Sequence, residues 1–175
     1  MAIRHGALPS INHSGRVYQG LRSEILMDTM TSAMYRLLFM EFEKGSIAEA
    51  IRLGLMAFSS HVFLQWHDNP QSYPRLSETY RDCLRSLKSL SGVSSHIMLW
   101  LLMAGAISVF NDSDDDWLKP WLRANAQLCN VNSWAAMRDS MESFLWIGVV
   151  HDQPGKDVFE SAMLRRPPEL YVPDI

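Results

Sequence analysis

Residues 97–107 run without a single charged side chain, inside the longer segment HIMLWLLMAGAISVF at 96–110. Within 97–107 only Gly105 is not plainly apolar. A surface helix carries an apolar stripe, whereas a helix that is apolar all round must be wrapped by protein or by lipid. A bilayer span takes about 20 apolar residues. This stretch is shorter, with Ser94, Ser95 and His96 at one end and Ser108 near the other. The chain is therefore expected to fold around a buried central helix at about 94–110. Burying each Leu, Ile, Met or Trp contributes roughly 1.5–3 kcal/mol before entropic costs, so other helices must bring apolar faces to cover it. Gly92 permits a break before this helix, and Ser94 or Ser95 can cap its start. Asn111-Asp112-Ser113 is a turn and capping cluster at its end.

The covering faces are legible on both sides. Leu21, Ile25, Met30, Met34, Leu37, Leu38 and Phe42 recur at helical spacing, which predicts a long amphipathic helix over 20–43. Ser46 followed by Glu49 is a capping box in sequence. It opens a predicted helix over roughly 46–66, with Ile47, Ile51, Leu55, Phe58 and Val62 along one side. Pro74 suits the first turn of the next helix, which is expected to run to about Leu90. Tyr80, Cys83, Leu84 and Leu87 lie on its apolar face, while Arg75, Glu78, Arg81 and Lys88 fall mainly on a solvated one. Ser113 is expected to cap a helix over 114–129, with Asp114, Asp115 and Asp116 favoured in its first turn by the helix dipole. Ser133 caps another, in which Trp134, Met137, Met141, Phe144 and Leu145 share a face. Gln153-Pro154-Gly155 is expected as a turn before a short last helix over 156–165. Nothing alternates like a strand. The expectation is an all-α, single domain of six to seven helices around the buried central one. A loose N-terminal arm (1–18) precedes it and a Pro-rich tail (167–175) follows.

Composition narrows the function classes. With 47% apolar and 20% charged residues the chain is globular. A net charge of −3 and the lack of a Lys/Arg-rich run argue against a surface that follows a nucleic-acid backbone. The acidic flank at 112–116 argues against membrane insertion of the central stretch. No secretory h-region is visible in the first twenty residues, so Cys83 and Cys129 are expected as reduced thiols in an intracellular protein.

Chemistry-bearing patterns are sparse. His61 and His67 do not share a helical face, and no HExxH motif occurs. Asp112, Asp114 and Asp116 begin like a calcium loop. Trp117 then stands where the tight turn needs Gly, and Arg123 where the bidentate Glu belongs. There is no GxGxxG, P-loop or GxSxG motif. No catalytic, cofactor-binding or metal-binding residue is assigned. Eleven Met and six Trp would suit an adaptable cavity or a partner groove, but an ordinary core is the simpler reading. His96 and Trp100, one turn apart, are the polar handles on the central helix. They are candidate lining residues of a ligand cavity, or else hydrogen-bond to neighbouring backbone.

Four segments taken in order, EAIRLGLMAFSSHVFLQW (49–66), HIMLWLLMAGAISVF (96–110), DWLKPWL (116–122) and NSWAAMRDSMESFLWI (132–147), carry a resemblance. Together they resemble the fungal-specific transcription factor domain, the helical regulatory region of fungal binuclear zinc-cluster regulators. The LLMAGAISV core, and the SW followed by FLWI, are its most telling parts. The resemblance implies a helical regulatory domain over 19–166 and a nuclear protein in transcriptional control, often of metabolic or secondary-metabolite genes. It implies a protein partner, a DNA-binding regulator or a small-molecule effector, and fixes no catalytic residue. The zinc cluster requires six closely spaced cysteines and this chain has two. Direct DNA contact by this chain is thus not expected, and the domain is either part of a longer regulator or a stand-alone module. Without a basic localisation run, nuclear entry is expected to need a partner or further N-terminal sequence, with a cytoplasmic location for the isolated chain. The competing reading is a small helical metabolite-binding accessory protein or enzyme of a secondary-metabolite pathway.

Overall fold

A computed structural model describes residues 23–65, 73–88 and 92–164. Among these the chain forms seven α-helices and one 3-10 turn, with no strand. The helices are α1 (Ser23–Phe39), α2 (Ile47–Gln65), α3 (Pro74–Leu87), α4 (Ser95–Ser108), α5 (Asp115–Leu128), α6 (Trp134–Glu142) and α7 (Gly148–Met163). The 3-10 turn, Asp112–Asp114, leads into α5. The chain divides into two compact units, Met1–Met40 and Glu41–Ile175. The first contains α1, which is shorter than the expected 20–43. Within it Thr29 turns its hydroxyl back to the Ile25 carbonyl at 2.7 Å. The expected arm and tail, together with His67 and Leu90, lie outside the described residues.

The second unit is the bundle that the apolar stretch demands. In α4 every residue from Met98 through Gly105 is buried, so no face of the helix meets water over two turns. The cover comes from α2, α5, α6 and α7, all packed on α4, while α3 lies on α2. Ala50, Leu53 and Ala57 supply the α2 face, Leu118, Leu122 and Ala126 the α5 face. Met137 and Met141 come from α6, Phe159 and Ala162 from α7. Gly54 sets the approach of α2 to α4. A Cβ there would lie 2.8 Å from the Tyr80 hydroxyl and 2.9 Å from a Leu101 methyl, so any larger residue would push the helices apart. The Tyr80 hydroxyl, fully buried, donates to the Leu101 carbonyl at 2.8 Å and fixes α3 against α4. Burial pushes the Tyr80 phenol well up, which keeps that donor protonated.

Several local expectations are corrected. Ser46 caps α2, its hydroxyl accepting from the Glu49 N–H at 3.2 Å. Glu49 does not complete the capping box, because its carboxylate is taken by Arg52 through two bonds of 2.6 and 2.7 Å. The capping residue is Asn111, two residues before Ser113, and it caps the 3-10 turn that leads into α5. Its side chain accepts from the Ser113 N–H, and the Asp114 carboxylate accepts from the Asn111 N–H, a complete capping box. Helix α6 ends at Glu142, so Phe144 and Leu145 fall on a connector and are each 42% exposed instead of continuing the Met137–Met141 face. Gln153-Pro154-Gly155 is no turn but the middle of α7. Gly155 is required by tertiary packing, since a Cβ would meet the Trp146 ring at 2.8 Å and the Trp134 ring at 3.0 Å. Burial of two indoles there outweighs the local helix-breaking preference, worth about 1 kcal/mol for Gly and about 3 for Pro.

Leu101 is wholly buried. Truncation to Ala is expected to lower stability by about 2–5 kcal/mol. Leu101→Asp, an unpaired carboxylate in the same place, is expected to abolish the cooperative thermal transition followed by circular dichroism. A Leu101→Asp variant melting like the parent would mean that α4 is not the core.

Candidate functional site

The two cavity candidates separate on the structure. His96, in the first turn of α4, is exposed. Trp100 is only 4% exposed. Its indole Nε1 donates to the Leu145 carbonyl at 3.0 Å and its ring lies 6.4 Å from that of Phe144. The neighbouring-backbone role is the one Trp100 fills, and it anchors the 143–147 connector to the central helix.

Two clefts open elsewhere in the second unit. One, of about 330 Å³, is lined by Lys44, Glu49, Thr79, Asp82, Cys83 and Ser86 among others. Its thiol is poorly set up as a nucleophile. Burial pushes Cys83 up, the nearby Glu49 carboxylate adds to the shift, and its Sγ lies 3.8 Å from the Ser46 carbonyl. The other, of about 230 Å³, lies beside the end of α4 over Phe110 and Leu118, with Asp112, Asp115 and Asp157 around it. Two of those carboxylates are already engaged, Asp115 by Lys119 and Asp157 by Gln153. Among the described residues no group of three or more His, Cys, Asp or Glu is arranged to hold a metal ion. Nor is any helix among them long and apolar enough to cross a membrane.

The most heavily built polar site joins α3 to the turn before α5. Asp114, 2% exposed, accepts from the Arg81 guanidinium at 2.7 Å, from the Trp117 indole at 3.0 Å and from the Asn111 N–H at 3.2 Å. Burial alone would raise this carboxyl. The three donors, with the Arg81 charge, overcome it and hold the group below its ordinary value. Sequence reasoning placed Asp114 in the first turn of a helix, favoured by its dipole, and Arg81 mainly on a solvated face. The available signal was the spacing Asn111-x-x-Asp114, which is that of a capping box.

The second polar cluster surrounds His151, near the start of α7 and fully buried. Its Nδ1 accepts the Ile147 N–H at 3.0 Å, so in the neutral ring Nε2 carries the proton. Nε2 has no hydrogen-bond partner among the described residues. The ring stands 4.4 Å from Phe58, 5.1 Å from Trp146 and 5.3 Å from His61, centroid to centroid. Burial first, and His61 second, press its pKa down to about 4, against weaker upward pulls from the Ile147 bond and Asp152. Burial lowers His61 as well. Such an imidazole is a neutral structural group at pH 7 that no substrate can reach, yet one whose protonation would disturb everything packed on it. Its distance in sequence from α2 left no pattern that could have paired it with His61.

No family model matches the chain, and no curated protein or solved structure is significantly similar to it.

The Asp114 pairing has a pH signature. A carboxyl lowered by folding contributes stability that is present above its unfolded pKa and lost as pH falls through the depressed folded value. Arg81→Ala would leave a buried carboxylate short of its charged partner, at a cost of about 2 kcal/mol near neutrality. Denaturant titrations should show that deficit shrinking below about pH 4, as Asp114 takes up a proton in the variant. A deficit constant with pH would mean the Arg81 loss is one of packing.

Proposed function

We propose that the chain is a non-enzymatic regulatory or effector domain of a fungal transcription regulator, acting through a protein or a metabolite and not by direct contact with DNA. The observation that carries this reading is where the four resembling segments fall. They lie on α2, on α4, on α5 and on α6 with the connector after it, that is, on α4 and on three of the four helices that cover it, α7 being the fourth. The likeness thus resides in one shared core and not in scattered surface helices. The net charge of −3 suits a module that leaves DNA reading to a partner or to another part of a longer chain. On this reading the domain works in the nucleus, beside a DNA-binding regulator.

The metabolite-binding alternative draws on the cleft beside α4. That cleft, at about 230 Å³, and the one beside Cys83, at about 330 Å³, lie at the lower edge of the roughly 300–1,000 Å³ range of small-molecule pockets, and the four resembling segments favour the regulatory reading.

The test is to tether the whole chain to a heterologous DNA-binding module in a fungal host and to measure a reporter. A several-fold rise or fall in transcription is expected. A reporter indifferent to a fusion that is expressed, folded and present in nuclei would overturn the regulatory reading.

A further inference from the structure

We propose that His61 and His151 form a proton-operated latch, in which uptake of a proton at His151 Nδ1 releases the 143–147 connector from α7 and uncovers Trp146. The inference stands apart from the regulatory reading and concerns the fold's response to acid.

The two ring nitrogens of His151 are not equivalent. In neutral His151 the Nδ1 lone pair receives the Ile147 N–H, and Nε2 already holds the ring hydrogen. A second proton can enter only at Nδ1. There it removes the acceptor and sets two N–H groups against each other, in a site with no water-facing side. Ile147 is the N-cap residue of α7, and no side chain caps the helix there. The contact being broken is thus one of those that seat the connector on the helix, beside the Trp146–Asp152 bond and the packing of Trp146 on Gly155.

Among the described residues the surrounding charges are few. From α2 comes His61, whose own protonation would add a second positive charge beside the ring. On α7 itself stands Asp152, which accepts from the Trp146 indole at 2.9 Å and forms an ion pair with Arg138 of α6 at 3.2 Å. Arg138 also pairs with Glu142. Residues 143–147 carry no titratable side chain. Asp152 is thus already shared between two donors, and the protonated ring gains no undivided counter-ion.

The sign follows from linkage. With the latch closed the ring is held down to about 4, while a released imidazole has its ordinary value of 6.5. The open form binds the proton more tightly, so its population grows as pH falls below 6.5 and levels off near 4. The difference between those values permits a rise in the open-to-closed ratio of about 300-fold. What opens is already half-dressed for exposure. Phe144 and Leu145 are each 42% exposed and Val149 67%, so release of Trp146 extends an apolar surface that exists in the closed form.

Amide hydrogen exchange on the full chain, read by NMR between about pH 7 and pH 4 and corrected for intrinsic rates, tests the latch. Protection of the Ile147 amide should fall by up to about 300-fold across that range, together with a shift of the Trp146 indole signal, while α4 amides keep their protection. In His151→Gln, which offers an acceptor that does not titrate, connector protection should not vary with pH. Should that variant not fold, His61→Gln carries the test. Loss of the second imidazole raises the closed-state value of His151, and the change in Ile147 protection should become smaller than in the parent. Protection at Ile147 that is flat with pH would refute the latch. So would loss in parallel at Ile147 and α4, which is acid unfolding, or an unaltered response in His61→Gln.

Discussion

Helix α4 has no polar face to offer to water, and the architecture of the second unit is the consequence. From Met98 through Gly105 each side of the helix is covered, so at least three other elements must reach it at once. Four do. Hydrophobic burial is non-directional, and by itself it would let those elements slide along the helix or exchange places. Two hydrogen bonds remove that freedom. The Tyr80 hydroxyl on the Leu101 carbonyl fixes α3, and the Trp100 indole on the Leu145 carbonyl fixes the connector after α6. The first is fully buried and the second partly so, and leaving a buried donor unmatched costs about 1–3 kcal/mol. Slipped arrangements are penalised by polar groups although the driving force is apolar.

A second set of contacts holds the outer elements to each other instead of to the core. Arg81 on Asp114 ties α3 to the turn that begins α5. Arg123 of α5 donates to the Ala162 carbonyl through two nitrogens, at 3.0 and 2.7 Å, and thereby caps the last turn of α7. The free carbonyls of a helix end attract a cation, and a guanidinium with several donors can serve more than one of them. In each case one arginine joins two elements, and Arg123 in addition satisfies a carbonyl at a helix end. The charges that carry the fold are therefore few and specific, whereas the i,i+4 pairs such as Arg138–Glu142 lie half in solvent and add little.

The sequence disclosed those features whose physics is local or is dominated by apolar periodicity. The burial of α4 followed from the missing charges, the face of α3 from Tyr80, Cys83, Leu84 and Leu87, and the start of α6 from Ser133, whose hydroxyl does accept from the Ala136 N–H. Where tertiary contacts outweighed local preference, the reading failed. Pro154 and Gly155 signal a turn in isolation, but the Trp146 and Trp134 rings need the space that a glycine inside α7 leaves open. Phe144 and Leu145 continue a helical stripe on paper, but the chain leaves the helix at Glu142 to bring the Leu145 carbonyl to Trp100. The same limit applies to the polar sites. His96 and Trp100 were noticed because they stand out on an apolar helix, yet exposure separates them. His151 went unnoticed because its environment is assembled from α2 and from the residues just before α7, and no spacing in the chain encodes that meeting.

Stability in such a bundle is not evenly distributed. Around α4 each residue touches several elements, and no part of that core can open without exposing the rest. The 143–147 segment is held differently. Its ties are the Trp100–Leu145, Trp146–Asp152 and Ile147–His151 hydrogen bonds and the seat of Trp146 on Gly155. Directional contacts of this kind, at a margin with exposed Phe144 and Leu145, define a region whose local opening costs less than unfolding of the whole. One of those three bonds ends on a buried imidazole, a group whose neutral and charged forms differ in whether they can accept it. The apolar core thus confers rigidity on the bundle, and the polar contacts of the connector confine its capacity to respond to one side chain.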